Sequence, residues 1–333
     1  MLSPPAGSGH ARFSASTRKG FMKPSDSAVG QPSARQSVMV VGSGLEALRA
    51  GQACTELGLD WHGSDGKVGD ELMGHARRLG CDLLHPAEAG ADVQIALAKA
   101  CRQAGLAFVG PCVSLLATLH DLSAGRQLMR EAGVPLSHLE DGSPPLHLPV
   151  LVDARGQALA LIEHEILDGG LAVAPSDRLT PEQRAYLGQL AVKGAQSAGL
   201  VGLATLSFTL VGNRLGFAYM RPGLTGYEGL AEVLTGLDLA VEQLRLVGGG
   251  RLRRPRVGHM GHGPGRPGQA RLRLLSLSGG FLSGGPGVRL DRPRGDGVGA
   301  PDARLLVWGR DAAEAERRER RAMTEWQVSA SYS

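Results

Sequence analysis

The sequence predicts an α/β chain that opens with a doubly wound parallel sheet. Three observations carry this. From residue 38 onward short apolar runs alternate with amphipathic stretches of about ten residues, the pattern of strand–helix–strand units. A glycine turn, Gly42-Ser43-Gly44, joins the first run to the first helical stretch. The composition, 42% hydrophobic and 20% charged over 333 residues, is that of a globular chain with two or three packed units.

In chain order, strands are predicted at 38–41, 60–63, 81–84 and 107–109, with helices at 45–57, 70–79 and 93–104 between them. A turn-rich join at 136–147 contains Ser143-Pro144-Pro145, and β-like runs follow at 148–152 and 158–162. Pro181 opens a helix to about residue 198, at a position favoured in a first turn. Gly212-Asn213 signals a hairpin between strands at 203–211 and 214–220. A helix at 237–246 closes this unit. Residues 248–303 are rich in Gly, Pro and Arg, and the last clear element, 311–326, has the mixed charges of a solvated helix face.

The ends and the composition bound the function. Residues 1–36 hold one acid, Asp26, among Ser, Gly, Pro and Arg, which suits a disordered tail or a targeting segment. Cys54, Cys81, Cys101 and Cys112 form no CxxC pair and are expected as free thiols in a reducing compartment. With no apolar run long enough to span a bilayer, the expected location is the cytoplasm, or an organelle if residues 1–36 are a transit peptide. The net charge of +4 does not by itself imply nucleic acid. Twelve arginines lie between 250 and 310, but Phe281 and Trp308 are the only aromatics there to stack on bases, so a solvated surface or an acidic protein partner fits better.

Gly42-x-Gly44-x-x-Ala47 after a strand, with Asp65 about twenty residues on, fits a dinucleotide loop. Glycine would let a pyrophosphate approach the helix N-terminus. A tight strand-to-helix turn needs glycine in any case, so the motif alone is unspecific.

A longer series is specific. Gly80-Cys-Asp-Leu-Leu-His85-Pro86, Phe108-Val109-Gly110-Pro111 and the helix from Arg126 to Pro135 resemble successive segments of biotin carboxylases. His147-Leu-Pro-Val150, Leu179 to Arg184, Thr235-Gly-Leu-Asp238, Glu242-Gln-Leu244 and Gly287-Val288-Arg289 continue it in the same order. The chain is similar to that family over about residues 38–326. The resemblance implies a Rossmann-like N-terminal domain (37–135), a truncated ATP-grasp region (136–247) and a C-terminal β-rich biotin carboxylase domain (248–333).

The family's reaction uses ATP, magnesium and bicarbonate to make carboxyphosphate, and a carboxyl group then passes to biotin. Magnesium takes carboxylate oxygens. The two metal glutamates align with Ser207 and Tyr219, and the metal-side asparagine with Arg221. The bicarbonate arginine aligns with Gly223, and the glutamate base with Tyr227, next to Glu228. A nucleotide lysine aligns with Leu122. The lid, which should follow Pro135, has only a few residues, and the biotin-side tyrosine aligns with Glu88. Near biotin, the C-terminal arginine has only Pro264 or Arg266 close by. These losses imply no biotin carboxylase chemistry and no bound cofactor. His85, His147, His164, Asp121, Glu163 and Glu165 are the residues that new chemistry would use, without metal-ligand spacing.

Arg49 and Glu56, seven apart on one helix face, and Arg289 match the family's dimer-interface positions. The expectation is therefore a non-catalytic biotin carboxylase-like protein. It would form a homodimer, or a heteromer with an active biotin carboxylase subunit, in a biotin-dependent acyl-CoA carboxylase assembly. The alternative is a nucleotide-binding sensor or enzyme that uses the turn at Gly42 and Gly44.

Overall fold

The computed structural model describes residues 36–65, 68–87, 89–137, 144–253, 268–275, 282–292 and 303–330. The tail at 1–35, Glu88, Pro264 and Arg266 lie outside them.

The N-terminal unit is the expected parallel sheet. Strands β1 (Ser37–Val41), β2 (Asp60–Ser64), β3 (Leu83–His85) and β4 (Ala107–Phe108) alternate with helices α1 (Leu45–Glu56), α2 (Asp70–Arg78) and α3 (Ala91–Ala104). They order as β2-β1-β3-β4. A central parallel strand is covered on both faces, which is why β1 is apolar throughout. Met39 and Val41 pack toward α2 and α3, while Val38 and Val40 enter a second core with α1. The third strand sits two residues later than predicted, because Gly80 ends α2 with positive φ and Cys81 precedes the pairing with β1.

Helices α4 (Val113–His120) and α5 (Leu122–Glu131) follow. The first had no clear periodicity to announce it. The second starts at Asp121, whose carboxylate accepts from the backbone N–H of Ser123 and Ala124 at 2.8 and 3.0 Å.

The second sheet is antiparallel and long. It comprises β5 (Leu146–Val152), β6 (Ala158–Ala160), β7 (His164–Ile166), β8 (Ala172–Ala174), β9 (Gly202–Val211), β10 (Arg214–Pro222), β11 (Gln269–Leu275), β12 (Val288–Asp291) and β13 (Ala303–Gly309). The order is β10-β9-β5-β7-β8-β11-β13-β12, with β6 also on β5. Pairing of β8 with β11 carries the sheet across the boundary placed at 247/248. Helices α6 (Pro181–Ser197), α7 (Glu228–Thr235), α8 (Leu239–Val247) and α9 (Ala312–Ala330) pack on it. Thr180 starts α6 with a capping box to Gln183, and Pro181 stands in its first turn.

Leu203, Leu151 and Leu224 of this sheet region share one core with α8 and with Ala47, Ala50 and Cys54 of α1, so the two sheets are fused by packing. After Pro135 the chain crosses to β10. Ser137 N–H donates to the Phe217 carbonyl at 2.9 Å, and Phe217 N–H donates to Pro135 at 2.7 Å. The Arg126 guanidinium clamps the crossing by donating to the Phe217 carbonyl and the Ser137 hydroxyl, both at 3.1 Å, and to the Ser137 carbonyl. A Cβ on Gly216 would lie 2.5 Å from Ser137 N, so only glycine allows this approach.

Candidate functional site

Side chains alternate across a strand. On β9, Ala204, Leu206 and Phe208 enter the core beneath α6, which sends Leu203, Thr205 and Ser207 to the opposite face. On that face the register aligns Tyr219 of β10, Ser207 of β9, His147 of β5 and His164 of β7 across four adjacent strands. His147 Nδ1 lies 2.9 Å from Ser207 Oγ. The two imidazole centroids are 5.1 Å apart. Tyr227 stacks on His164 at 5.4 Å, Tyr219 flanks His147 at 6.3 Å, and the Arg221 guanidinium lies 5.1 Å above the Tyr219 ring.

The row is electrically neutral apart from Arg221. Burial pushes His147 down to about 4, and the Arg221 charge works in the same direction. Burial pushes His164 down to about 3, with His147 as the second cause. His164 Nδ1 is buried without a hydrogen-bond partner among the described residues. Magnesium requires hard oxygen ligands, and these side chains present imidazole, phenol and hydroxyl beside a cation, so they do not fit it. Among the described residues no group of three or more His, Cys, Asp and Glu is placed to hold a metal ion.

The acids around the row are committed elsewhere. Glu163 pairs with Arg184 at 2.7 Å; burial raises its carboxyl, and Arg184 pulls it back. Glu165 accepts from Ser176 Oγ at 2.9 Å and faces Arg178 at 3.4 Å. Glu228, the carboxylate one residue from Tyr227, accepts from Thr225 N and Oγ1 and from Gly226 N at 2.5, 2.8 and 2.9 Å. It holds the turn into α7.

Gly223 is buried with φ of 88°, and its N–H donates to the Leu203 carbonyl. Gln243 Nε2 would lie 3.7 Å from a Cβ there. The Gln243 carbonyl oxygen is 3.3 Å from His85 Nε2, while His85 Nδ1 accepts from Ala87 N–H at 2.9 Å. That arrangement fixes a neutral tautomer with the proton on Nε2. Burial pushes His85 down to about 4 against the help of Gln243. Leu122 is exposed at the start of α5, after the capping Asp121.

Gly42 and Gly44 line a cavity of about 180 Å³ together with Val40, Ser43, Ala47, Leu48, Trp61 and Gly63. It lies on the β1–β2 side of the turn. The strand order reverses between β1 and β3, the place where open α/β sheets bind their ligands. On the β3 side the Ala87 methyl lies against the turn, within 3.2 Å of where a Cβ on Gly42 would stand.

The interface candidates are split. Arg49 binds Glu232 of α7 at 2.5 Å, and Arg289 of β12 reaches the other oxygen of that carboxylate at 3.9 Å. Arg289 also binds Asp291 at 2.8 Å. Glu56 stays exposed on the last turn of α1. Sequence inspection did not single out Glu232, nor the buried pair of Glu46 on α1 with Arg304 on β13. The one available signal was a charged residue amid apolar neighbours, as in Leu230-Ala231-Glu232-Val233.

A parallel N-terminal sheet fused to a long antiparallel sheet is the architecture of biotin carboxylase ATP-grasp enzymes. Comparison with known proteins agrees. Residues 146–254 match the family described as the carbamoyl-phosphate synthase L chain, ATP binding domain. The chain is 30% identical over 226 residues to the biotin carboxylase of a Nostoc species, covering 60% of this chain and 49% of that protein. It is 25% identical to the chloroplastic biotin carboxylase 1 of Populus trichocarpa, over 73% of this chain and 63% of the other. A solved single-chain, multi-domain long-chain acyl-CoA carboxylase superposes with a TM-score of 0.74 at 26% identity, over 87% of this chain and 37% of that one. The chain is similar to biotin carboxylases, and it spans about half the length of the Nostoc relative.

Proposed function

We propose that this chain is a non-catalytic biotin carboxylase-like protein, a structural or regulatory subunit of a biotin-dependent acyl-CoA carboxylase assembly. It would pair with itself or with an active biotin carboxylase subunit. The observation that carries this reading is the neutral row: Ser207 and Tyr219 stand where the resemblance places the magnesium carboxylates, and Ser207 is already engaged by His147 at 2.9 Å. Arg221, Gly223, Tyr227 and Leu122 extend the loss to the bicarbonate and nucleotide positions. Electrostatic contacts of this kind are worth about 3 kcal/mol or more each in a transition state. The division into 37–135, 136–247 and 248–333, the interface role of Arg49, Glu56 and Arg289, and a cytoplasmic location (organellar if residues 1–36 are a transit peptide) belong to the same reading.

The test is twofold. Purified chain with magnesium, ATP, bicarbonate and biotin should release no phosphate above background. Tagged chain recovered from its host should carry a biotin carboxylase or a biotinylated subunit in stoichiometric amount. Steady turnover in the first assay defeats the proposal, and recovery of the chain alone in the second removes the heteromeric form of it.

The cavity beside Gly42 and Gly44 favours a second reading, a nucleotide sensor built on the parallel sheet. Its volume, about 180 Å³, lies below the roughly 300 Å³ at which ligand pockets begin, which favours the first reading. Saturable nucleotide binding abolished by Gly44→Val would support it.

A further inference from the structure

We propose that His147 and His164 form an acid-operated latch that holds the start of α7 on the antiparallel sheet while both rings are neutral and releases it when they are protonated. The inference holds whether or not the chain turns over ATP.

The geometry has three parts. First, the rings are directly opposed on neighbouring strands, with centroids 5.1 Å apart, so two imidazolium charges would face each other inside a packed sheet face. Second, a proton added to His164 Nδ1 meets no acceptor among the described residues, because that atom is buried and unpartnered. Third, His164 is the surface on which Tyr227 stacks, and Tyr227 is the residue immediately before α7. A charge on this ring is therefore placed under the helix start rather than at a solvated edge.

The groups packed around the pair offer no compensation. On β9 they are Thr205 and Ser207, and on β10 Tyr219 and the Arg221 cation. On β7, Glu165 alternates to the opposite face, where Ser176 and Arg178 hold it. Glu163 is bound by Arg184. At the α7 end, both oxygens of Glu228 accept from the Thr225–Gly226 turn, and Glu232 is bound to Arg49. The nearby cation thus adds to the repulsion, and the nearby carboxylates are occupied. The downward displacement of both histidines, to about 4 and about 3, agrees with this geometry.

Release would pass beyond the row. Glu232 lies on α7 and joins Arg49 of α1 to Arg289 of β12. Moving the first turn of α7 therefore disturbs the place where the parallel sheet meets the C-terminal strands.

The test is hydrogen exchange of the full chain, corrected for intrinsic rates, between pH 7 and pH 5. Peptides covering 144–152 and 222–236 should lose at least tenfold more protection than those covering β1 in the wild-type chain. The double variant His147→Asn, His164→Phe retains a neutral acceptor beside Ser207 and a ring beneath Tyr227, and it should keep its protection at pH 5. Equal loss in wild type and variant overturns the proposal. If the double variant does not fold at pH 7, an NMR titration of the wild-type histidine ring protons decides. Opening coupled to protonation of these two rings supports the latch, and protonation without opening, or opening without protonation, removes it.

Discussion

Two of the buried polar regions are built on opposite principles. At the junction of the sheets, charge is retained and paired: Glu46 with Arg304, and Glu232 with Arg49 and Arg289. Across the row of Tyr219, Ser207, His147 and His164, uncharged groups contact one another, with Arg221 at the edge. A buried ion pair contributes little relative to an apolar substitute, but removing one partner is expensive because the other charge stays behind. A neutral row has no such vulnerability at pH 7 and acquires one in acid. The contrast separates what holds this molecule together from what its relatives' chemistry would need.

The largest expected effect breaks the junction. Glu232→Ala leaves the partly buried Arg49 with only Asp238, at 3.7 Å, and should cost about 3 kcal/mol in urea unfolding. Ser207→Ala removes one hydrogen bond from the row and should cost about 1–2 kcal/mol. If the second loss exceeds the first, the assignment of stability to the junction is wrong.

Acid sharpens the same comparison. The folded-state value of His85, about 4, lies below its ordinary value, so the unfolded chain binds protons first. Stability is complete above about pH 6.5 and declines as the pH falls toward 4, by about 3 kcal/mol from this ring alone. His147 and His164 act in the same direction. Glu163, Glu232 and Glu242, raised by burial, act in the opposite one, since protonation relieves them. Unfolding midpoints at pH 7 and pH 5 for wild type and His85→Asn should show a smaller acid loss in the variant.

A fourth substitution probes the crossing from Pro135 to β10. Gly216→Val drives a side chain into the Ser137 backbone and should cost about 1–3 kcal/mol, with exchange increased at 135–137. The smallest effect is expected at Glu56, which is exposed: Glu56→Ala should change monomer stability by less than about 0.5 kcal/mol. A loss of self-association in that variant without a loss of stability would give Glu56 the interface role.

Most of the parallel sheet was legible in the sequence, because its strands are short apolar runs separated by helices with one buried stripe. The hairpin at Gly212 and the start of α6 were legible for the same local reason: turn and cap residues act on their own neighbours. Strands β11, β12 and β13 were hidden in a stretch rich in Gly, Pro and Arg. Two of those arginines, Arg271 and Arg273, bind Glu319 of α9, so charges that suggested a solvated segment are partners across a sheet–helix contact. Helix α7 was hidden because it spans only 8 residues, too few for its spacing to stand out from the turns around it.

The sequence by itself determined the fold class, the resemblance to biotin carboxylases and the identity of every side chain in the row. Ser207 and Tyr219 cannot bind magnesium as carboxylates wherever they are placed. Tertiary structure alone decided that Ser207 contacts His147, that His147 faces His164, and that Glu232 binds Arg49. The reason is physical. Local propensity acts over a few residues, whereas those contacts join positions 60, 17 and 183 residues apart. Only strand register and sheet-to-sheet packing bring such positions within a few ångströms of one another.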